Sequence, residues 1–233
     1  MKKARLFSVF LLAMFVSVYV NAQEFNLGAD LVSRYVWRGF DFGNTASIQP
    51  GVSFGYSGLE AGFWGSYPLT TTSNGSEEID TYISYTLSTE NSGEFTLSAT
   101  DYYYPNSGLK IGNFKDKGNG AHTIEAALGY AGPENLPISL LVAANVYNDD
   151  ENNIYFQAGY STALQDVGVD VFIGGTPGSD NALYGTTEFN LINVGLTLSK
   201  EIKITDSFSL PVFGSYILNP NSEVSYLVFG VSL

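Results

Sequence analysis

The sequence predicts an all-β transmembrane barrel of about twelve antiparallel up-and-down strands. Two observations support this: no helix-like segment follows residue 22, and the connectors between the short strands alternate in length. The long connectors are 39–47, 68–77, 104–120, 148–153, 175–186 and 218–223, and the short ones are 57–58, 89–93, 132–136, 164–166 and 200–206. Outer-membrane barrels have short periplasmic turns and longer external loops, whereas a soluble sandwich has no reason to sort its loops this way.

The first 22 residues predict a cleaved secretory signal peptide. Lys2, Lys3 and Arg5 form a charged region, residues 6–20 an apolar region, and residues 20–22 a small-residue cleavage site. The apolar run is shorter than the roughly 18 residues or more that a spanning helix requires. We therefore expect residues 23–233 to form one barrel domain in a bacterial outer membrane.

Each predicted strand alternates apolar residues, expected to face lipid, with polar or small residues, expected to face the lumen. The first strand starts with Phe25, Leu27, Ala29 and Leu31 on its apolar face and is expected to continue to residue 38. The same period runs through 48–56, 59–67, 79–85, 95–99, 123–130, 138–144, 154–161 and 167–174, and returns at 208–212 and 227–233. In the tenth strand Leu191 and Ile192 are both apolar, so we expect a β-bulge or a shifted boundary there.

Aromatic residues near the predicted strand ends suggest two interfacial girdles. Those near short turns are Tyr56, Tyr85, Tyr130 and Tyr160, and those near long connectors are Tyr35, Trp37, Tyr67, Tyr103 and Tyr216. The last strand ends in an apolar face of Leu227, Phe229, Val231 and Leu233. That face is similar to the C-terminal signal through which barrel-assembly machinery recognises its substrates, although such signals usually end in Phe. We therefore expect this machinery and outer-membrane lipid as partners.

The charge balance excludes some partners. Removing the three basic residues of the predicted signal leaves seven basic and 23 acidic residues, a net charge of −16. Such a chain is not expected to bind nucleic acid. It contains no cysteine, so neither disulfides nor thiol chemistry are expected.

Strand parity predicts a set of charges inside the barrel, where ionised groups must face water or one another. Its eight members, six acids and two bases, are Asp30, Arg34, Arg38, Glu60, Asp80, Glu125, Asp170 and Glu188. We expect Arg34 and Arg38 to meet Glu60, Asp80 and neighbouring acids. Two interpretations remain open: a salt-bridge network that seals the lumen, or a charged constriction that filters solutes.

A series of short motifs resembles the TorF-type porin family of bacterial outer-membrane proteins. The series comprises Ser33-Arg34-Tyr35-Val36-Trp37-Arg38-Gly39, Gln49-Pro50, Gly62-Phe63-Trp64-Gly65-Ser66, Glu78-Ile79-Asp80-Thr81-Tyr82 and Tyr103-Tyr104-Pro105. Its key residues are Ser33, Tyr35, Arg38, Gly39, Pro50, Gly62, Trp64, Ser66, Asp80 and Tyr82. The resemblance implies a small outer-membrane barrel and brings no catalytic or ligand residues with it.

Enzymatic and metal chemistry have weaker support. His122 is the single histidine, and a lipase-like site would need it beside a nucleophile, but no recognisable nucleophile motif accompanies it. The acidic run 149–151 is a weak calcium candidate and more typical of a solvated hairpin tip. We therefore expect no cofactor, no metal and no catalysis. The leading function is passive passage of small solutes with a preference for cations; the alternatives are a sealed structural or surface-binding barrel and, last, a lipid-modifying enzyme.

Overall fold

The computed structural model describes residues 24–70, 77–180 and 183–233. The predicted signal peptide lies outside these ranges. The strands are β1 Glu24–Val32, β2 Val36–Trp37, β3 Phe40–Asp41, β4 Ser47–Tyr56, β5 Leu59–Pro68, β6 Glu78–Thr89, β7 Gly93–Tyr103, β8 His122–Ala131, β9 Ile138–Tyr147, β10 Ile154–Leu164, β11 Val167–Thr176, β12 Asn190–Lys203, β13 Ser209–Asn219 and β14 Val224–Ser232. A single 3-10 turn, Pro105–Ser107, follows β7. Across the described ranges no helix is long and apolar enough to cross a membrane.

Twelve of these strands form one closed barrel, which confirms the predicted fold class. Each barrel strand pairs antiparallel with the next along the chain, β4 pairs with β1, and β14 closes the ring against β1. Long connectors gather at one end and short turns at the other, and we call these the long-connector end and the short-turn end. The outward faces carry exposed apolar side chains on all sides, among them Phe25, Phe54, Phe63, Ile83, Leu97, Leu128, Val142, Val171, Leu198 and Phe229.

The prediction for the first strand is wrong beyond Val32. There the chain leaves the wall, and β2 and β3 form a separate two-stranded hairpin between β1 and β4. Arg34 and Arg38 therefore do not lie on a wall strand. Tyr35 and Trp37 belong to the same connector and are not part of an outer girdle. Tyr35 is almost fully buried, with its ring against that of Trp64.

Two β-bulges break the regular register. The pairing of β11 with β12 shifts where Gly174 faces Asn193 and Gly175 faces Leu191, so that Ile192 is the extra residue. This confirms the irregularity predicted at Leu191 and Ile192, and Ile192 is completely buried. The second bulge is in β9, opposite Ile124 and Glu125.

Large rings inside the barrel lie over glycines of the neighbouring strand. Phe172 covers Gly195 and Phe213 covers Gly230, each across a directly paired position. A glycine at such a place leaves room for the ring to lie flat on the wall. These two rings thus occupy part of the lumen, over small residues that accommodate them.

Replacing Gly195 with Ala should destabilise the barrel, because the new Cβ would overlap the ring of Phe172. Overpacking of this kind costs about 1–3 kcal/mol. The matched control is Gly214→Ala, where the nearest atoms would be at 3.4 Å, an ordinary contact. Unfolding monitored by circular dichroism should give a lower midpoint for Gly195→Ala alone. Equal midpoints in the two variants would contradict this account of the ring and glycine pairs.

Candidate functional site

The β2–β3 hairpin crosses the lumen near the long-connector end. Its backbone reaches β13, where the Asn219 side-chain amide donates to the Gly39 carbonyl at 3.2 Å. Val36 packs in a buried cluster with Phe172, Ile217 and Val228, which belong to β11, β13 and β14. Trp37 lies near the rings of Tyr102 and Tyr184. These contacts come from opposite sides of the wall, so the hairpin spans the lumen interior.

The two-residue turn of the hairpin places Arg38 at its tip. Arg38 and Gly39 both have positive φ angles, 49° and 82°, and lie between the paired residues Trp37 and Phe40. A two-residue hairpin turn with both central φ positive is of type I′, which usually contains Asn-Gly. An arginine in this conformation is uncommon and is held by its surroundings.

The Arg38 guanidinium binds Glu125 of β8 in a bidentate ion pair. The N–O distances are 2.6 Å and 2.8 Å, and both side chains are buried. The same guanidinium donates to the Tyr184 hydroxyl at 2.7 Å. It stacks between the rings of Trp37 and Tyr155, at 4.3 Å and 4.4 Å from their centroids. Planar stacking combined with bidentate bonding is a geometry that arginine provides and lysine does not.

Arg38 keeps its charge in this enclosure. Burial works against a charged guanidinium, yet Tyr184 and Glu125 raise the pKa of Arg38 above its ordinary value. Burial also raises the pKa of the Tyr184 hydroxyl, which is therefore neutral. Glu125 receives a further hydrogen bond from Tyr102 at 3.2 Å. Arg38 thus has a second acceptor and Glu125 a second donor, which a buried pair requires to offset its desolvation.

Arg34 has a different role at the base of the hairpin. It forms an ion pair with Asp41, and its guanidinium lies 5.7 Å from the centre of the Tyr226 ring. Asp41 also accepts hydrogen bonds from the backbone amides of Gly43 and Asn44. This pair holds the start and the end of the hairpin together, and Asp41 was absent from the predicted charge set.

The structure separates the members of the predicted charge set. Arg38 meets Glu125, whereas the expected pairing of the arginines with Glu60 and Asp80 is wrong: Glu60 accepts from Tyr82 at 2.9 Å. Asp30 accepts a hydrogen bond from Ser232 at the barrel closure. Glu188 is exposed in the connector before β12, so its assignment to the lumen wall is wrong. The error arose because inward and outward positions were assigned by alternation along β12. That strand starts only at Asn190 and contains the bulge at Ile192.

Among the described residues, three buried carboxylates retain an oxygen without a hydrogen-bond partner: Glu78, Asp80 and Asp170. Glu78 and Asp80 are inward neighbours on β6 beside the hairpin, and the hydroxyls of Tyr35 and Tyr104 bond to Glu78. Glu78 was missed because the strand was predicted to start at Ile79, although its parity equals that of Asp80. Within the described residues, no group of three or more acidic, His or Cys side chains is arranged to hold a metal ion.

The resemblance motifs map to the hairpin and the wall beside it. Ser33 begins the connector, with its amide bonded to the Phe229 carbonyl and its hydroxyl accepting from the Phe229 amide. Gly62 lies under the Tyr82 hydroxyl, and Ser66 accepts from Gln49 at 3.3 Å. Pro50 has no amide hydrogen to donate, and neither Pro50 nor Gln49 is paired with a residue of β5.

His122 lies outside the lumen, beneath the 104–121 connector. Its Nδ1 is 2.9 Å from Asp101, and its Nε2 is 2.7 Å from the Ile111 carbonyl. Its ring stacks between those of Phe114 and Tyr103. Both ring nitrogens are therefore occupied by groups that fix the loop. In the acidic run, Asp149 bonds to the amides of Asn145 and Asn153 and shapes its own turn.

Replacing Gly39 with Ala should displace the hairpin for two reasons. The added Cβ would overlap the Ile192 carbonyl oxygen, and the alanine backbone would have to keep the left-handed conformation of the glycine. The conformation alone costs roughly 1–2 kcal/mol. The control is Gly108→Ala, at a similar φ of 78° but with no atom within 4 Å. We expect the control to lose about that amount and Gly39→Ala clearly more, measured as the shift in unfolding midpoint. A smaller loss for Gly39→Ala would exclude close packing at the tip.

Comparison with protein families identifies one family. No curated protein matches the chain. A family model described as a bacterial protein of unknown function (Gcw_chp) matches residues 20–210, which includes the hairpin and most of the barrel. That description tests neither a porin activity nor the likeness to TorF-type porins, which stays a prediction. Because the match covers most of the chain, the protein belongs to the Gcw_chp family.

Proposed function

We propose that this barrel resides in a bacterial outer membrane and passes small solutes by passive diffusion, with a preference for cations. The observation that carries the proposal is the charge imbalance within the lumen. Both lumen arginines are bound to acids, whereas Glu78, Asp80 and Asp170 each keep an oxygen without a partner. A surplus of fixed carboxylates lowers the barrier for positive solutes and raises it for negative ones.

Aromatic rings beside the free carboxylates support the same preference. Asp80 is directly opposite Trp64 on the neighbouring strand β5 and opposite Tyr102 on the other neighbour, β7. Ring faces attract cations, so carboxylates flanked by rings suit a partly dehydrated positive group. In this proposal the hairpin is the constriction, and the Arg38–Glu125 pair holds it across the path.

The sealed barrel is a second candidate with its own supporting observation. The hairpin spans the lumen and is held by a buried bidentate ion pair, by the aromatic side chains of Tyr155 and Tyr184, and by a hydrogen bond from the Asn219 side chain to its backbone. A lumen closed this firmly would suit a structural or surface-binding barrel. A lipid-modifying enzyme based on His122 gains no support, because Asp101 of β7 engages one ring nitrogen and the Ile111 carbonyl of the connector engages the other.

Ion selectivity is the decisive measurement. In a planar bilayer under a salt gradient, the reversal potential of the wild type should indicate cation preference. Arg38→Ala should increase both conductance and cation preference, because it frees Glu125 and releases the hairpin. It should also lower stability, since leaving one partner of a buried pair alone costs about 3–5 kcal/mol.

The control is Lys200→Ala, which removes one positive charge at an exposed pair with Asp166 near the short-turn end. It should leave the reversal potential unchanged. Asp80→Asn should reduce cation preference. Anion preference in the wild type would contradict the charge argument, and absence of conductance in the wild type and in Arg38→Ala would favour the sealed barrel.

The apolar C-terminal face supports recognition by barrel-assembly machinery. Leu227, Phe229 and Leu233 are exposed on the outer side of β14 and at the chain end. The exposed apolar belt around the wall likewise supports placement in lipid, where each backbone polar group must be paired within a closed barrel.

Placement and orientation are tested together in intact cells. The protein should fractionate with the outer membrane and change its gel mobility on heating. A cysteine introduced at Asn119, in the long connector, should react with an impermeant thiol reagent, while one at Asn91, in the short β6–β7 turn, should not. Recovery as a soluble periplasmic protein would end the placement proposal, and the opposite labelling pattern would invert the orientation.

A further inference from the structure

The connector of residues 104–121, here called the outer loop, folds back over the outside of the barrel wall. His122 has the same outward parity as Ile124. The ring of Phe114, in the outer loop, stacks on the His122 ring with 4.1 Å between their centroids. The Tyr147 hydroxyl donates to the Phe114 carbonyl, and Asn148 exchanges hydrogen bonds with the Gly120 backbone. The outer loop is therefore anchored at a fixed height beside the long-connector end.

The anchored loop leaves apolar side chains exposed beside the wall. Ile111 and Phe114 are 65% and 60% exposed, and Leu109 is also exposed. One face of the Phe114 ring stacks on His122 of β8, so this apolar group lies next to the wall that carries the apolar belt. Exposed apolar groups at the rim of such a belt are positioned for insertion among acyl chains.

The same loop holds three exposed cations without ion-pair partners. Lys110, Lys115 and Lys117 form no ion pair in the described residues. The acid between them, Asp116, is used to accept from the backbone amides of Lys117 and Asn148.

The other basic residues beyond the predicted signal are all paired. Their ion pairs are Arg34–Asp41, Arg38–Glu125, Lys200–Asp166 and Lys203–Asp206. In a chain with so large an acidic excess, the unpaired positive charge is gathered in eight residues of one external loop.

We propose that the outer loop is a docking surface for lipids with phosphate-bearing, anionic headgroups. Lys110, Lys115 and Lys117 bind phosphate oxygens, while Leu109, Ile111 and Phe114 enter the acyl region beneath them. Lysine is a mobile point charge suited to phosphate, and basic residues at a membrane surface attract anionic lipid. This inference rests on the proposed membrane location and is independent of whether the lumen conducts.

The test titrates phosphatidylglycerol into the detergent-solubilised full barrel and follows bound lipid by native mass spectrometry, with phosphatidylcholine as the neutral reference. Wild type should bind phosphatidylglycerol more tightly. Lys110→Gln/Lys117→Gln should weaken that binding about 30-fold, the expectation for two surface lysines. Lys200→Gln/Lys203→Gln removes the same charge at the short-turn end and should leave it unchanged. Ile111→Gln should weaken binding of both lipids.

Three results would overturn the proposal. Equal binding of the two lipids would exclude headgroup recognition. An equal loss in both lysine double variants would reduce the effect to net charge. Displacement of phosphatidylglycerol by inorganic phosphate at equimolar concentration would indicate a free-anion site instead. Because conductance is not measured, a sealed lumen leaves the expected outcome intact, and failure here leaves the ion-selectivity experiment intact.

Discussion

The Arg38–Glu125 ion pair is the interaction on which the interior of this barrel depends. It joins the tip of an inserted hairpin to the far wall, across 87 residues of sequence. The stacked rings of Trp37 and Tyr155, the Tyr184 hydroxyl and the turn at Gly39 all serve to hold this guanidinium. A neutral side chain at position 38 would leave Glu125 buried without a counter-charge, so the geometry of the lumen follows from one buried charge.

The lumen has a different character at its two ends. Near the long connectors it is filled by the hairpin, by aromatic rings and by the carboxylates of Glu78 and Asp80. Towards the short turns the inward faces carry small polar pairs, such as Thr197 with Ser215 and Thr86 with Thr96. The short-turn half also holds larger inward groups, among them Glu60, Asp170 and Phe213, so small hydroxyls line only part of it.

The wall was predictable from sequence, and the contents of the lumen largely were not. Period-two alternation and the sorting of connectors predicted twelve strands, and the adjacent Leu191 and Ile192 predicted the bulge. The hairpin was missed because residues 33–38 were predicted to continue the first strand, and Arg38-Gly39 is not a usual turn pair. The choice of Glu125 as the partner of Arg38 depends on the distance across a closed barrel, which no local pattern contains.

The closure of the barrel has a consequence for the order of its assembly. β14 meets β1 in register at Asp30, Leu31 and Val32, and the next residue, Ser33, bonds to Phe229 as the chain turns inward. The strand that completes the ring is thus the strand from which the hairpin departs. Because these bonds hold the residue at which the hairpin leaves the wall, the base of the hairpin reaches its final position only when β14 pairs with β1. The strand that closes the ring therefore fixes the position of a segment 196 residues earlier in the chain.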